Sequence, residues 1–407
     1  MPGAAPRVLL VTGKGGVGKT TTAAALAVEA ARAGRRTLVV STDAAASLGD
    51  TLGVELPTAA SWRDATPVEP GLEATAVDAQ TGVEASWPTV HGYLLELLDG
   101  VGVDPVLAEE LTTLPGAAEV TALLALGHQA RSGRYDLVVV DCAPTADTLR
   151  LLALPEVLGW HLDRLLPAQR RLLTALRPAA AAAAGIAMPG PEVLGVVTAW
   201  REQVVAVRAL LTSASASVRL VLTPERVVIA EARRLLTSLG LHGYAVDGLV
   251  VNRVLPPGRD PWRAGWNAAQ HEGLAAIGES FAGIPTRSAP YLAAEPTGPD
   301  ALAALAAATV LIEGEERPLE HPVEPSGPRV EAVGLDFVLT LRLPLARSAD
   351  VALARRDDDL LVTVGADRRV VALPAVLRRC VVKNASVGQG ELRVRFERDE
   401  EVWPRAR

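Results

Sequence analysis

The hydrophobic pattern opens with a short β-branched apolar run, RVLLVT at 7–12, that stops at a glycine. An alanine-rich stretch with helical spacing follows at 20–32, TTTAAALAVEAAR. The next apolar run, TLVVS at 37–41, comes after Gly34, a natural helix stop, so the chain begins as a β-α-β unit with parallel strands. Further continuous apolar runs, LVVVD at 137–141, VRLVLT at 218–223 and GLVVN at 248–252, suit strands covered on both faces. They predict an α/β fold with a mostly parallel sheet.

Between these strands, about 81–131 and 155–215 read as helical and are longer than a crossover needs, which predicts a helical insertion. Leu162, Leu165, Leu166, Leu172, Leu173 and Leu176 keep helical spacing, as do Val204, Val207 and Leu211. Such stripes pack on the protein's own core or line a groove for an apolar client. After an acidic, proline-rich linker at 313–328, the rhythm changes to alternation. FVLTLRL, DVALARR, LLVTVG, RVVALP and ELRVRF predict a small antiparallel β-sandwich over about 329–400, leaving 1–312 as the first domain.

Composition narrows the function. Of 407 residues, 49% are hydrophobic and 21% charged, so a large core can be buried. A net charge of −7 and 3% aromatics argue against a broad nucleic-acid surface, so no nucleic-acid partner is expected. No long uninterrupted apolar stretch and no leader-like start are present, which predicts a cytoplasmic protein. Cys142 and Cys380 are the only cysteines, so neither a disulfide framework nor a four-cysteine zinc site is expected. Cys142 reads as a small apolar core residue, with a redox role as the alternative. Lysine is nearly absent, with only Lys14, Lys19 and Lys383, and two of the three fall close together. Where arginine serves everywhere else, those two positions call for a compact ammonium.

Both lie in Gly13, Lys14, Gly15, Gly16, Val17, Gly18, Lys19, Thr20, which satisfies the phosphate-loop pattern between a predicted strand and a predicted helix; a glycine-rich turn without a ligand is the alternative. Its backbone N–H groups and the helix N-terminus suit phosphate oxygens. Lys19 would reach the β- and γ-phosphates, and the Thr20 hydroxyl would ligate Mg²⁺. At the end of the second strand, Asp43 within STDAAASLGD is a candidate for orienting an attacking water, or else caps the next turn. Asp141 ends another apolar strand, where a carboxylate can hold the water shell of Mg²⁺; Pro144 and Thr145 follow it as a candidate γ-phosphate sensor.

These segments resemble the ArsA family, which includes the arsenite-pump ATPase and the ATPase that targets tail-anchored membrane proteins. The likeness spans about 5–310 through GKGGVGKTT, STDAAASLGD, DCAPTADTLRLL, TPERVVIAEARRL, VVNR and IPTRSAPYLAAEPTG. It implies a P-loop NTPase that binds and hydrolyses ATP as a homodimer, with Lys14 reaching the nucleotide of the facing subunit; a solvated lysine is the alternative. Thr21 closes the loop motif. Glu225 matches a glutamate that touches nucleotide across the dimer, Asn252 the asparagine that reads adenine, and Pro290 and Tyr291 the loop over the base. Without the resemblance, Glu225 reads as a helix cap and Asn252 as a strand-end turn.

The sequence also departs from the family. Ala44 and Ala46 replace the usual switch residues after the aspartate, and Ala146 and Asp147 replace a glycine and a histidine, which implies slower hydrolysis or altered coupling. The zinc-binding cysteine pair and the arsenite-collecting cysteines are missing. Residues 329–397 resemble an α-crystallin-type sandwich, a module that binds polypeptides or steadies the dimer.

The expected function is a Mg²⁺-dependent switch ATPase acting on a protein client or membrane partner. The alternatives are the energising subunit of an arsenite or anion pump, a positioning switch of the MinD or ParA type, and a nucleotide-binding module without turnover.

Overall fold

The computed structural model describes residues 6–42, 47–56, 65–77, 117–143, 152, 191–258, 260–315, 323–400 and 403. The expected helical insertion lies largely outside them, as do the leucines from Leu162 to Leu176. Two compact units are present: 1–6, 26–210 and 297–299 form the first, and 7–25, 211–296 and 300–407 the second.

In the first unit, β2 (Thr37–Ser41) and β5 (Leu137–Asp141) are buried at every position, which explains their uninterrupted apolar sequence. β2 pairs parallel with β5 on one side and with β4 (Leu72–Ala76) on the other. β3 (Thr66–Glu69) adds an antiparallel edge to β4. This hairpin was not foreseen, because TPVE and LEATA are too short and too polar to register as apolar runs. The α2 (Ser47–Leu52), α3 (Ala117–Arg131) and α4 (Pro191–Leu211) helices complete the unit. Val204, Val207 and Leu211 are all buried. A Cβ on Gly127 of α3 would collide with the Val207 side chain. For these three residues the stripe is own-core packing rather than an open groove.

The second unit holds β1 (Arg7–Thr12), β6 (Ala216–Leu222), β7 (Val246–Val254) and β8 (Thr286–Pro290), paired parallel in that order, with β9 (Val310–Glu313) antiparallel to β8. Every residue of β1 and β6 is buried. The α1 helix (Lys19–Arg32) follows β1, and α5 (Arg226–His242), α6 (Pro261–Ser280) and α7 (Pro299–Ala308) follow the later strands. Taken together, the described α/β region carries nine strands, mostly parallel, with helices between them.

The remaining strands form two antiparallel sheets. One orders β10 (Arg329–Val333), β11 (Asp336–Arg342), β16 (Glu391–Arg398) and β15 (Cys380–Gly388); the other orders β12 (Val351–Arg356), β13 (Asp359–Val364) and β14 (Asp367–Ala372). The expected alternation is the burial alternation: Leu339, Leu341, Leu392, Val394 and Phe396 point inward. β10 and β15 were not foreseen, since most of their residues are exposed and no apolar face marks them.

The sandwich core also contains Leu241 of α5. The buried Arg369 guanidinium donates to the Leu241 carbonyl at 2.5 Å, and Ser238 donates to Asp367. A Cβ on Gly240 would come within 2.5 Å of Pro344, so only glycine admits that loop so close to the helix. The proline-rich stretch that composition marks as a linker is tied down over 323–328. Val323 N donates to the Ala214 carbonyl at 3.0 Å, and Ser326 is buried. Among the described residues, no helix is long and apolar enough to cross a membrane.

Candidate nucleotide-binding site

The phosphate loop connects β1 to α1. Gly13 approaches β6 so closely that a Cβ would strike the Val221 carbonyl oxygen. Gly18 has φ +89°, and a Cβ there would collide with Asn252 Nδ2. Asn252, buried near the end of β7, donates from Nδ2 to the Val17 carbonyl at 2.9 Å and accepts from Arg253 N at 2.8 Å. The asparagine therefore pins the loop while keeping one amide hydrogen and one carbonyl lone pair for other partners. Thr22 continues the helix by donating its hydroxyl to the Gly18 carbonyl at 2.8 Å.

Lys19 is 7% exposed, and its ammonium donates to the Lys14 carbonyl over a long 3.5 Å. A buried ammonium with so little satisfaction suits an anionic ligand. Lys14 is half-buried, with Nζ 3.9 Å from Glu231 Oε2 of α5. At that separation and exposure the pair contributes little and leaves Lys14 free to move.

A cleft of about 360 Å³ opens beside the loop, lined by Gly18, Thr21, Asn252, Arg253 and the turn from Pro290 to Pro296. Tyr291 is anchored by its N–H to the Val254 carbonyl at 2.8 Å, while its ring is exposed. The structure thus brings Gly18, Thr21, Asn252, Pro290 and Tyr291 around one cleft. Glu225 occupies the N-cap position of α5 without capping it; its carboxylate accepts from the Thr223 hydroxyl instead.

Asp141, in the first unit, is fully buried at the end of β5. Its carboxylate accepts from the Ser41 hydroxyl at 3.3 Å, and its carbonyl from Thr42 N at 2.9 Å. This holds the side chain at the C-terminal edge of its strand. Cys142 is buried beside it, as expected for a small apolar residue. Asp43, Ala44 and Ala46, and likewise Pro144, Thr145, Ala146 and Asp147, lie outside the described residues.

Three participants carry no mark in the sequence: Arg253, Gln270 and Glu231, the last facing Lys14 from α5. Arg253 stood in the VVNR motif but drew no role, because nothing in sequence says where its side chain goes. Gln270 of α6 is buried and donates to the Arg253 carbonyl at 3.2 Å while accepting from Leu255 N at 2.9 Å. No local pattern marks a glutamine that clamps a loop from another element.

A glycine loop with close backbone approaches, a buried lysine and an adjoining cleft define a phosphate-loop nucleotide-binding protein. The anion-transporting ATPase family profile, ArsA, matches residues 6–311, and the profile for the HSP20-like domain found in ArsA proteins matches 334–396. The chain is 39% identical to an uncharacterized Streptomyces coelicolor protein across 98% of this chain and 100% of that one. A putative arsenical pump-driving ATPase of Aquifex aeolicus is 28% identical over 95% and 98% of the two chains. The ATPase GET3B of Arabidopsis thaliana is 32% identical over 61% of this chain and 64% of its own length. The chain belongs to the ArsA ATPase family and carries its HSP20-like domain. It is an ATP-binding ATPase of a family that is typically dimeric.

Proposed function

We propose that this ATPase is a Mg²⁺-dependent dimeric switch that couples its nucleotide state to a protein client or membrane partner. The region 1–312 acts as the motor, 313–328 as a strap and 329–400 as the sandwich that responds. The observation that carries this reading is the path of α5. Near its start stand Glu225 and Glu231, the latter beside Lys14; at its end Leu241 is embedded in the sandwich core. Seventeen residues of helix span about 25 Å, a rigid link from the phosphate loop to the sandwich.

In this reading Lys19 and the loop N–H groups hold the β- and γ-phosphates. Lys14 leaves Glu231 and reaches the partner's nucleotide, where charge develops during transfer. Asp43 orients the attacking water, and Glu225 contacts nucleotide across the dimer. The free amide hydrogen and lone pair of Asn252 match an adenine edge, with Pro290 and Tyr291 over the ring. Thr20 and Asp141 supply oxygen donors of the kind Mg²⁺ prefers; when bound, the ion neutralises phosphate charge.

Hydrogen exchange of the full-length protein with and without an ATP analogue tests the coupling. Protection that changes in 226–242 and 329–400 supports it, and should disappear in Lys14→Ala together with nucleotide-dependent dimerisation. Protection confined to the phosphate loop and the cleft would sink the lever.

A second reading, the energising subunit of an anion pump, is favoured by the name of the Aquifex relative. Against it, two cysteines separated by more than 200 residues offer no thiol trio within one chain. Stimulation of ATP turnover by arsenite would reinstate that reading.

A further inference from the structure

We infer that Arg253 is a base-contact residue, with its guanidinium stacked on the purine ring, and that Gln270 is the positioning residue that keeps it there. This rests on the ATP-binding reading and goes beyond the residues that the family motif supplied.

The argument starts from an isolated charge. Arg253 lines the cleft beside Asn252, yet among the described residues its guanidinium makes no hydrogen bond and no ion pair. The buried arginines of the same unit are committed, Arg7 and Arg219 to Asp247 and Arg369 to the Leu241 carbonyl, whereas Arg253 is exposed at the cleft. An arginine without a partner beside a nucleotide cleft is poised for a ligand.

Its backbone gives an independent indication. Arg253 has φ +57°, and among the described residues it is the only non-glycine outside the sandwich with a positive φ. A bulky residue stays in that region only where its surroundings hold it. Here they do so from both sides. Asn252 Oδ1 accepts the Arg253 N–H, and buried Gln270 grips the carbonyl of Arg253 and the N–H of Leu255. Gln270 therefore fixes the turn that hands Arg253 to the cleft, without lining the cleft itself.

The chemistry selects the base over the phosphates. In the ATP-binding reading the loop N–H groups and Lys19 would serve the phosphate oxygens, while Arg253 shares its cleft with Pro290 and Tyr291. A planar, weakly hydrated guanidinium stacks on π faces, and a purine presents a larger face than a pyrimidine.

Calorimetric titration of the full-length protein with ADP and CDP tests this. Arg253→Ala should weaken ADP about tenfold and CDP by less than about threefold. Arg253→Lys, which keeps charge but not planarity, should not restore ADP affinity. Arg253→Gly removes the side chain and the backbone strain together, so it should lose ADP affinity with no drop in Tm. Gln270→Ala should lower the ADP-to-CDP preference, a readout that a purely structural role would not move. Equal losses for ADP and CDP, no loss at all, or full rescue by lysine would overturn the assignment while leaving ATP binding intact. Wild-type protein that binds neither nucleotide would remove the ATPase reading and this inference with it.

Discussion

The two ends of β1, β6 and β7 treat charge in opposite ways. At their starts, Asp247 accepts from Arg7 at 3.3 Å, from Arg219 at 3.2 Å and from Ser217 at 2.7 Å, all buried. At their finishes, Lys19 has one long hydrogen bond, Lys14 a 3.9 Å ion pair, and Arg253 no ion pair among the described residues. Charges that stabilise the fold are neutralised by the chain itself, whereas charges that face a ligand are left incompletely satisfied. The comparison separates residues whose loss unfolds the protein from residues whose loss silences it.

Lys19→Ala should give the largest effect. With the main phosphate-binding cation removed, ATP turnover should fall at least about a thousandfold, equivalent to about 4 kcal/mol of transition-state stabilisation. Because the buried ammonium is poorly satisfied, Tm should hold or rise. Steady-state turnover and a thermal melt on the same sample check both halves. A marked drop in Tm would mean that Lys19 is structural and would break the contrast.

Asp247→Ala should show the reverse pattern. Removing the carboxylate leaves Arg7 and Arg219 buried without their common partner, which costs about 3 kcal/mol of folding stability. Urea unfolding measures that loss, and well below the new midpoint of unfolding the ADP affinity should match wild type. A variant as stable as wild type would show that solvent reaches the pair more freely than its burial suggests.

The unequal legibility of the two ends follows from the same physics. The nucleotide end was readable because glycine spacing and a lysine in a lysine-poor chain are local signals. β1, β2 and β5 were readable because full burial demands uninterrupted apolar residues. The Asp247 cluster was not readable: Arg7, Ser217, Arg219 and Asp247 meet only after three strands pair in register. Gln270 and Glu231 escaped for the same reason, since each acts on a residue of another element. The β8 strand, TRSAP, carries Pro290 and Tyr291 at its end but is too short and polar to declare itself. Family resemblance supplied those two residues where periodicity did not.

The smallest predicted effect uses the same chemistry in water. Glu324 also sits between two arginines, 2.7 Å from Arg329 and 2.8 Å from Arg342, but all three are largely exposed. Arg342 and then Arg329 hold its carboxyl below the ordinary value of 4.5. A depressed folded-state value means that the stabilisation is fully present above the unfolded value and is lost as pH falls through the folded one. The Tm advantage of wild type over Glu324→Gln should therefore be small and constant near neutrality and shrink progressively below about pH 4.5. It should also shrink in 1 M salt, where exposed charges are screened beyond about 3 Å. Melts of both proteins across pH and salt measure it. An advantage that grew on acidification, or one as large as that of Asp247, would mean that burial is not what separates the two clusters.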